Sequence, residues 1–122
     1  MSTIVYLNGE FMPLEEAKIS PIDRGFLFAD GIYEVSAVLD GKMIENQPHM
    51  ARLDRSLGEI GMDVPWSMDE IADIMQQVAD KNGIVEGMVY LQITRGADWD
   101  KVRDFGFPKD PKPTMFMFGQ HK

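Results

Sequence analysis

The stretch Asp23–Leu39, DRGFLFADGIYEVSAVL, contains a strong strand signal in this 122-residue chain. Its second half, Ile32–Leu39, is rich in β-branched and aromatic residues, which favours a strand. Asp40-Gly41 follows at once and predicts a tight hairpin turn, with a returning strand over Lys42–Glu45. Asp23–Asp30 is compatible with one turn of helix. We therefore expect an antiparallel sheet to be built around this strand.

Successive side chains of that strand point to opposite faces of the sheet. One face carries Ile32, Glu34, Ser36 and Val38, and the other carries Tyr33, Val35, Ala37 and Leu39. The second face is the more apolar of the two. The pattern alone therefore predicts that Tyr33 and its neighbours belong to the hydrophobic core.

Strand signals recur on both sides of this stretch. Thr3–Leu7 is β-rich, and Asn8-Gly9 predicts a hairpin that returns over Glu10–Pro13. Met88–Thr94 alternates, with Val89, Leu91 and Ile93 on one face and Tyr90 and Gln92 on the other. A last strand is predicted over Thr114–Phe118, after a long loop at residues 96–113.

Two helices are predicted between the hairpins and the later strands. The first begins near Pro48 and ends near Gly61, and its apolar residues recur at helical spacing. The second spans Ser67–Lys81, where Ser67 and Glu70 form a capping box. This order of elements predicts an α+β fold: an antiparallel sheet with two main helices on one side.

Composition excludes several classes of function. The formal net charge of −8 argues against a nucleic-acid partner and against an anionic membrane surface. There is no cysteine, and the two histidines stand far apart in sequence, so no metal site is expected. No long apolar run and no signal peptide are present, and the absence of cysteine is typical of a cytoplasmic protein.

The few arginines are the candidates for anion binding, because a guanidinium group matches carboxylate and phosphate. They are Arg24, Arg52, Arg55, Arg95 and Arg103. Arg52 lies one position off the apolar stripe of the first predicted helix, where it could face a phosphate. The pattern alone favours the alternative, a solvated helix face.

Four segments together resemble one enzyme family. DRGFLFADGIYEV (23–35), HMARL (49–53), YLQITRG (90–96) and RDFGFP (103–108) occur in the order and spacing of the class IV, or fold-type IV, aminotransferases. These enzymes depend on pyridoxal 5'-phosphate (PLP). The sequences of the first and third segments are most similar to those of the D-amino-acid transaminases. Branched-chain aminotransferases and aminodeoxychorismate lyases stay open as alternatives.

The resemblance implies a role for each matching residue. Arg52 would bind the PLP phosphate. Tyr33 would contact the carboxylate of the substrate, an amino acid or a 2-oxo acid. Arg103 would be a second carboxylate ligand that reaches into the site of the partner subunit of a homodimer.

The remaining matching residues would shape the substrate pocket. Val35, Ala37 and Tyr90 would line the part of the site that receives the substrate side chain. Phe105 stands where D-amino-acid transaminases usually carry a histidine. The loss of that donor leaves the identity of the amine donor open.

The resemblance also implies that one essential group lies elsewhere. The family's lysine, which holds PLP covalently, belongs to a second domain, and none of the seven lysines here stands in a matching segment. We therefore expect residues 1–122 to be the N-terminal domain, without the C-terminal PLP-lysine domain, and to be inactive and without bound PLP on their own. The alternative is a stand-alone binding or dimerisation module that has lost catalysis.

Overall fold

The computed structural model describes residues 3–97 and 112–122, which form six strands and three α-helices. The strands are β1 (Ile4–Leu7), β2 (Glu10–Pro13), β3 (Gly31–Leu39), β4 (Lys42–Met43), β5 (Gly87–Thr94) and β6 (Thr114–His121). The helices are α1 (Arg24–Phe28), α2 (Asn46–Glu59) and α3 (Met68–Lys81), and a short 3-10 helix spans Leu14–Glu16.

All six strands form one antiparallel sheet in the order β2-β1-β6-β5-β3-β4. The long helices α2 and α3 pack against one face of this sheet. The core between them contains Leu53 and Leu57 of α2, Ile71 and Met75 of α3, and Leu91 of the central strand β5. The predicted α+β architecture is therefore confirmed.

Local sequence explains both hairpins. Asn8 and Gly9 have φ angles of 48° and 102°, and Asp40 and Gly41 have φ angles of 53° and 77°. Positive φ at both central residues is the geometry that matches the twist of paired strands, and Asn-Gly and Asp-Gly adopt it at low cost. The two predicted hairpins are confirmed.

The helix ends follow their sequence signals, whereas two strand ends differ from prediction. Both bonds of the predicted Ser67–Glu70 capping box are present at the start of α3. The return after the second hairpin is only β4, because Glu45 adopts a left-handed conformation (φ 51°) that directs the chain into α2. The last strand β6 continues to His121, three residues beyond the predicted end, since it stays paired with β5 as far as Gly87.

The predicted orientation of β3 is wrong. Tyr33, with 66% of its surface exposed, lies on the open face of the sheet, and Val35 and Leu39 are exposed with it. Glu34 and Ser36 face the helices and are buried. Helix α2 makes this possible because it supplies polar partners for both side chains, including the Asn46 amide oxygen that accepts the Ser36 hydroxyl at 2.8 Å.

Helix α1 and the start of β3 are fixed to the end of β5 by a buried ion cluster. The Asp30 carboxylate accepts from Arg24 Nε at 2.8 Å and from Arg95 Nε at 2.9 Å. A methyl group on Gly31 would lie 2.6 Å from the Ile93 carbonyl oxygen, so the two backbones approach closely there.

Among the described residues, no helix has the length and apolar character needed to cross a membrane.

Candidate functional site

A groove of about 500 Å³ runs along the first half of β3 and is open to solvent. We call it the β3 groove; it is lined by Gly31, Ile32, Tyr33, Glu34, Val35, Arg52 and Ser56. Strand β4 pairs only with Val38 and Leu39, so in the described part of the chain no strand covers this edge of β3. Helix α2 forms the opposite wall and brings Arg52 to the edge of the sheet.

Arg52 is held in the groove by Glu34. Its Nε donates to Glu34 Oε2 at 2.9 Å, and its Nη2 donates to Glu34 Oε1 at 2.7 Å. This two-bond contact is the geometry that a guanidinium and a carboxylate form most strongly. The Glu34 side chain is 4% exposed, whereas that of Arg52 is 58% exposed. The pair therefore buries its carboxylate and presents its cation to solvent.

His49 completes the cluster from the first turn of α2. Its Nδ1 lies 2.9 Å from Glu34 Oε1. The Arg52 contact and the imidazole hold the pKa of the Glu34 carboxyl below its usual value, because hydrogen bonds from Arg52 and then from His49 favour the ionised form. An ionised carboxylate accepts only, so His49 Nδ1 is the donor of this bond.

The charge of Arg52 is fixed in turn by its partner. Hydrogen bonding and coulombic attraction from Glu34 raise the pKa of the Arg52 guanidinium above its already high usual value. The groove therefore contains a permanent cation whose position is set by a buried anion. Such a group can bind a phosphate or a carboxylate from solvent.

Aromatic side chains cover the open face of the sheet beside the groove. The rings of Tyr33 and Tyr90 stack, with centroids 5.8 Å apart and an angle of 17° between their planes. The centroid of the Phe118 ring lies 5.0 Å from that of Tyr90. Val35 is directly opposite Tyr90 in the strand register, and Ala37 is opposite Met88. Tyr33, Val35, Ala37 and Tyr90 thus share one face of two adjacent strands.

Tyr90 is the more enclosed of the two tyrosines. Its hydroxyl donates to Gln92 Oε1 at 3.2 Å. Burial, and then the neighbouring Tyr33, raise the pKa of the Tyr90 phenol. The phenol is therefore protonated at neutral pH and acts as a hydrogen-bond donor on this face.

The other candidate arginines have different places. Arg24 and Arg95 are buried and bind Asp30, so they cannot receive an anion from solvent. Arg55 is exposed on α2 and does not line the β3 groove. Arg103, like Phe105, lies outside the described residues.

Sequence patterns did not single out Glu34 and His49 as functional residues. A signal was present in principle: His49 and Arg52 are three residues apart and so lie on one face of a helix. A second cavity, of about 480 Å³, was not predicted either. It is lined by Ile19, Ser20, Pro21, Asp23, Gly25, Phe26, Gln92, Thr94, Thr114 and Phe116.

The described residues beside the groove do not form a metal centre. Within residues 3–97 and 112–122, no three histidine, cysteine, aspartate or glutamate side chains come together as a set of metal ligands. His49 and Glu34 are joined by a hydrogen bond, and Glu34 also binds Arg52.

Comparison with known proteins gives a consistent result. The family model for amino-transferase class IV matches residues 31–120. A D-alanine aminotransferase of Staphylococcus epidermidis is 40% identical over 117 residues, which cover 95% of this chain and 40% of that protein. The chain thus spans about two fifths of the length of that relative.

Solved structures share the fold at lower identity. The branched-chain amino acid aminotransferase of Escherichia coli superimposes with a TM-score of 0.89 at 18% identity, over 100% of this chain and 40% of that one. The 4-amino-4-deoxychorismate lyase of Pseudomonas aeruginosa gives a TM-score of 0.71 at 23% identity, over 96% and 39% of the two chains. At such identities these two likenesses establish the fold alone.

Proposed function

The chain belongs to the class IV aminotransferases, and from that membership we propose that it is the N-terminal domain of an enzyme that transfers the amino group of a D-amino acid to a 2-oxo acid. The D-amino-acid preference rests on the 40% identity to a D-alanine aminotransferase. In this proposal the domain supplies one wall of the active site, and a second domain supplies the lysine.

One observation carries this proposal. The residues for which the family resemblance implies cofactor and substrate contacts meet along β3: Arg52 and Tyr33 line the same groove, and Tyr33 stacks on Tyr90. An exposed, oriented cation beside an exposed aromatic surface suits a ligand that has both an anionic group and a flat ring.

Pyridoxal 5'-phosphate is such a ligand, and the residues of the groove fit it. Arg52 would hold its phosphate, because the guanidinium is more than half exposed and keeps its charge at every physiological pH. When bound, PLP supplies the electron sink that amino transfer requires. The domain's own contribution is to bind, orient and enclose.

The open face of the sheet would receive the substrate. We propose that the Tyr33 hydroxyl donates to the substrate carboxylate, since Tyr33 is the most exposed aromatic residue beside Arg52. Val35, Ala37 and Tyr90 would form the wall against the substrate side chain. Arg103 as a second carboxylate ligand and Phe105 as part of the pocket stay predictions from the family resemblance.

The proposed inactivity of this chain alone has a chemical reason. A transaminase uses a lysine amine as the covalent anchor of the cofactor and as the acid and base that moves the substrate proton. No lysine of the described residues lines the β3 groove. Lys81 instead lies over the Phe11 ring, and Lys122 pairs with Glu86. A cytoplasmic homodimer of the longer enzyme completes the proposal.

The test is to express the complete reading frame and the 122-residue chain side by side. We expect the product of the reading frame to be larger than this chain, to transfer the amino group of D-alanine to 2-oxoglutarate, and to prefer D-alanine to L-leucine. The 122-residue chain should show no transfer. Arg52→Lys should raise the PLP concentration needed for half-maximal activity, whereas Arg55→Lys serves as the matched control on the same helix.

The opposite results separate the alternatives. Preference for L-leucine would replace the D-amino-acid enzyme by a branched-chain aminotransferase. A reading frame of 122 codons with no transfer by its product would contradict the enzyme proposal and would leave a stand-alone binding or dimerisation module.

A further inference from the structure

The strongest unassigned feature of the molecule is the carboxylate behind Arg52. Glu34 is nearly inaccessible to solvent because it lies on the sheet face that packs against α2. Burying a charge is costly unless it is paired and hydrogen-bonded. Three hydrogen bonds, two from Arg52 and one from His49, satisfy both of its oxygens. The buried carboxylate of Glu34 thus fixes the position of the half-exposed guanidinium of Arg52.

The contact with Glu34 leaves the anion-binding end of Arg52 available. A guanidinium has five N–H groups in a fixed planar fork. Glu34 accepts from Nε–H and from one N–H of Nη2. Among the residues that the structure describes, Arg52 has no other acceptor, so both N–H groups of Nη1 and the second N–H of Nη2 can donate to a bound anion. Because the fork is rigid, fixing one edge also fixes the direction of the other.

Net charge alone would argue against Glu34. Arg52 and Glu34 together carry one positive and one negative charge. Removing the carboxylate would therefore make the groove more positive and more attractive to an anion. The carboxylate is an advantage only if the direction of the guanidinium matters more than the sum of charges.

We propose that Glu34 is a positioning residue: it holds Arg52 side-on so that the outer edge of the guanidinium forms a preorganised phosphate site, and His49 holds the same carboxylate through Oε1. This inference rests on the proposed function in that it takes phosphate as the ligand of Arg52. Glu34 itself does not touch the phosphate.

The test measures the binding of inorganic phosphate to the 122-residue chain by NMR, through the side-chain Nε–H signals of its five arginines and, in every variant, through the backbone N–H signals of the residues that line the β3 groove. We expect phosphate to shift the Arg52 signal. Glu34→Gln should weaken this binding about threefold to tenfold, the equivalent of one hydrogen bond, even though it removes a negative charge from the groove. Arg52→Lys should weaken it also, because lysine keeps the charge without the fork. Arg55→Lys should leave it unchanged.

The two proposals fail in distinguishable ways. Loss of binding in Arg52→Lys but equal or tighter binding in Glu34→Gln would overturn the positioning role and leave the phosphate role of Arg52 in place. Equal binding in wild type and Arg52→Lys, or no shift of Arg52 at all, would overturn both.

A second measurement needs no folded variant of Glu34. In the unmodified chain, the Arg52 Nε–H should exchange with water more slowly than that of the exposed Arg55, and should stay slow when phosphate is saturating. Faster exchange on addition of phosphate would mean that the anion displaces Glu34, and the inference would be wrong.

Discussion

Two arginine–carboxylate clusters flank β3, and they differ in which partner reaches the solvent. At the start of the strand, Arg24 and Arg95 share Asp30, and both guanidinium groups are almost fully buried. Four residues after Asp30, Glu34 is the buried partner and Arg52 is the half-exposed one. The same chemical pair thus joins elements of the fold in one place and presents a cation in the other.

This difference separates buried arginines from an exposed one within the segments that resemble the family. Arg24 stands in the DRG segment and Arg95 in the TRG segment, and both bind Asp30 from opposite ends of the domain's sequence. The guanidinium of Arg52 is the one that an external anion can reach within this pair of clusters. Burial of the cation, rather than the presence of an arginine, decides which role is possible.

The largest effect should come from breaking the buried cluster. Asp30→Ala should lower the free energy of unfolding by about 3–5 kcal/mol, because it removes the shared partner of two buried cations. Urea denaturation of the 122-residue chain measures this loss. Asp54→Asn, on the exposed side of α2, is the control and should stay within about 0.5 kcal/mol of wild type. A loss for Asp30→Ala as small as that of the control would mean that the buried cluster does not stabilise the fold.

A smaller loss is expected from separating the strands beside that cluster. Gly31→Ala would place a methyl group 2.6 Å from the Ile93 carbonyl oxygen, and relief of this contact should cost about 1–3 kcal/mol. Gly58→Ala is the matched control, because it lies within α2 and its methyl group would meet nothing within 4 Å. There the exchange should stabilise the chain by about 0.5–1 kcal/mol. Equal thermal shifts for the two variants would contradict the close approach.

The contribution of the Glu34 cluster to the free energy of unfolding should depend on pH. Because the pKa of Glu34 is lowered on folding, its contribution to stability is complete above the usual glutamate value and is lost as pH falls through the lowered one. In a His49→Gln background, which leaves Arg52 as the charged partner, Glu34→Gln should destabilise the chain near pH 7 by about 1–3 kcal/mol. This difference in the free energy of unfolding should shrink as the pH falls below 4.5, the ordinary pKa of a glutamate carboxyl. A difference that is constant with pH would exclude the charged contact as its source.

The smallest effect on stability should come from the presented cation itself. Arg52→Lys keeps the charge beside Glu34 and removes a guanidinium that is more than half in solvent already. Its urea midpoint should lie closer to that of Arg55→Lys than to that of Asp30→Ala. A midpoint close to that of Asp30→Ala would place Arg52 among the structural arginines and would end the contrast between the two clusters.

Local sequence predicted most of the fold because its signals act over a few residues. The hairpins at Asn8-Gly9 and Asp40-Gly41 need only positive φ angles, and the cap of α3 needs only Ser67 and Glu70. The ends of strands were predicted less accurately, because the extent of pairing depends on the neighbouring strand. Strand β6 continues to His121 because β5 remains opposite it.

The candidate site was predicted in part. The family resemblance singled out Tyr33, Val35, Tyr90 and Arg52, and the fold brings these four to one edge and one face of the sheet. Whether they bind cofactor and substrate stays a prediction. Glu34 was not singled out, because a glutamate on a strand reads as a solvent-facing residue until the helix that covers it is known.

The alternation of side chains along β3 follows from its sequence, whereas the packing of α2 selects which of its two faces is covered. Hydropathy favoured burial of the face of Tyr33 and Val35, but α2 packs on the opposite one. It can do so because its own side chains satisfy the buried polar groups: Asn46 accepts from Ser36, and His49 and Arg52 donate to Glu34. A strand carries the spacing of its side chains, whereas the partners that make a polar face cheaper to bury lie on another element.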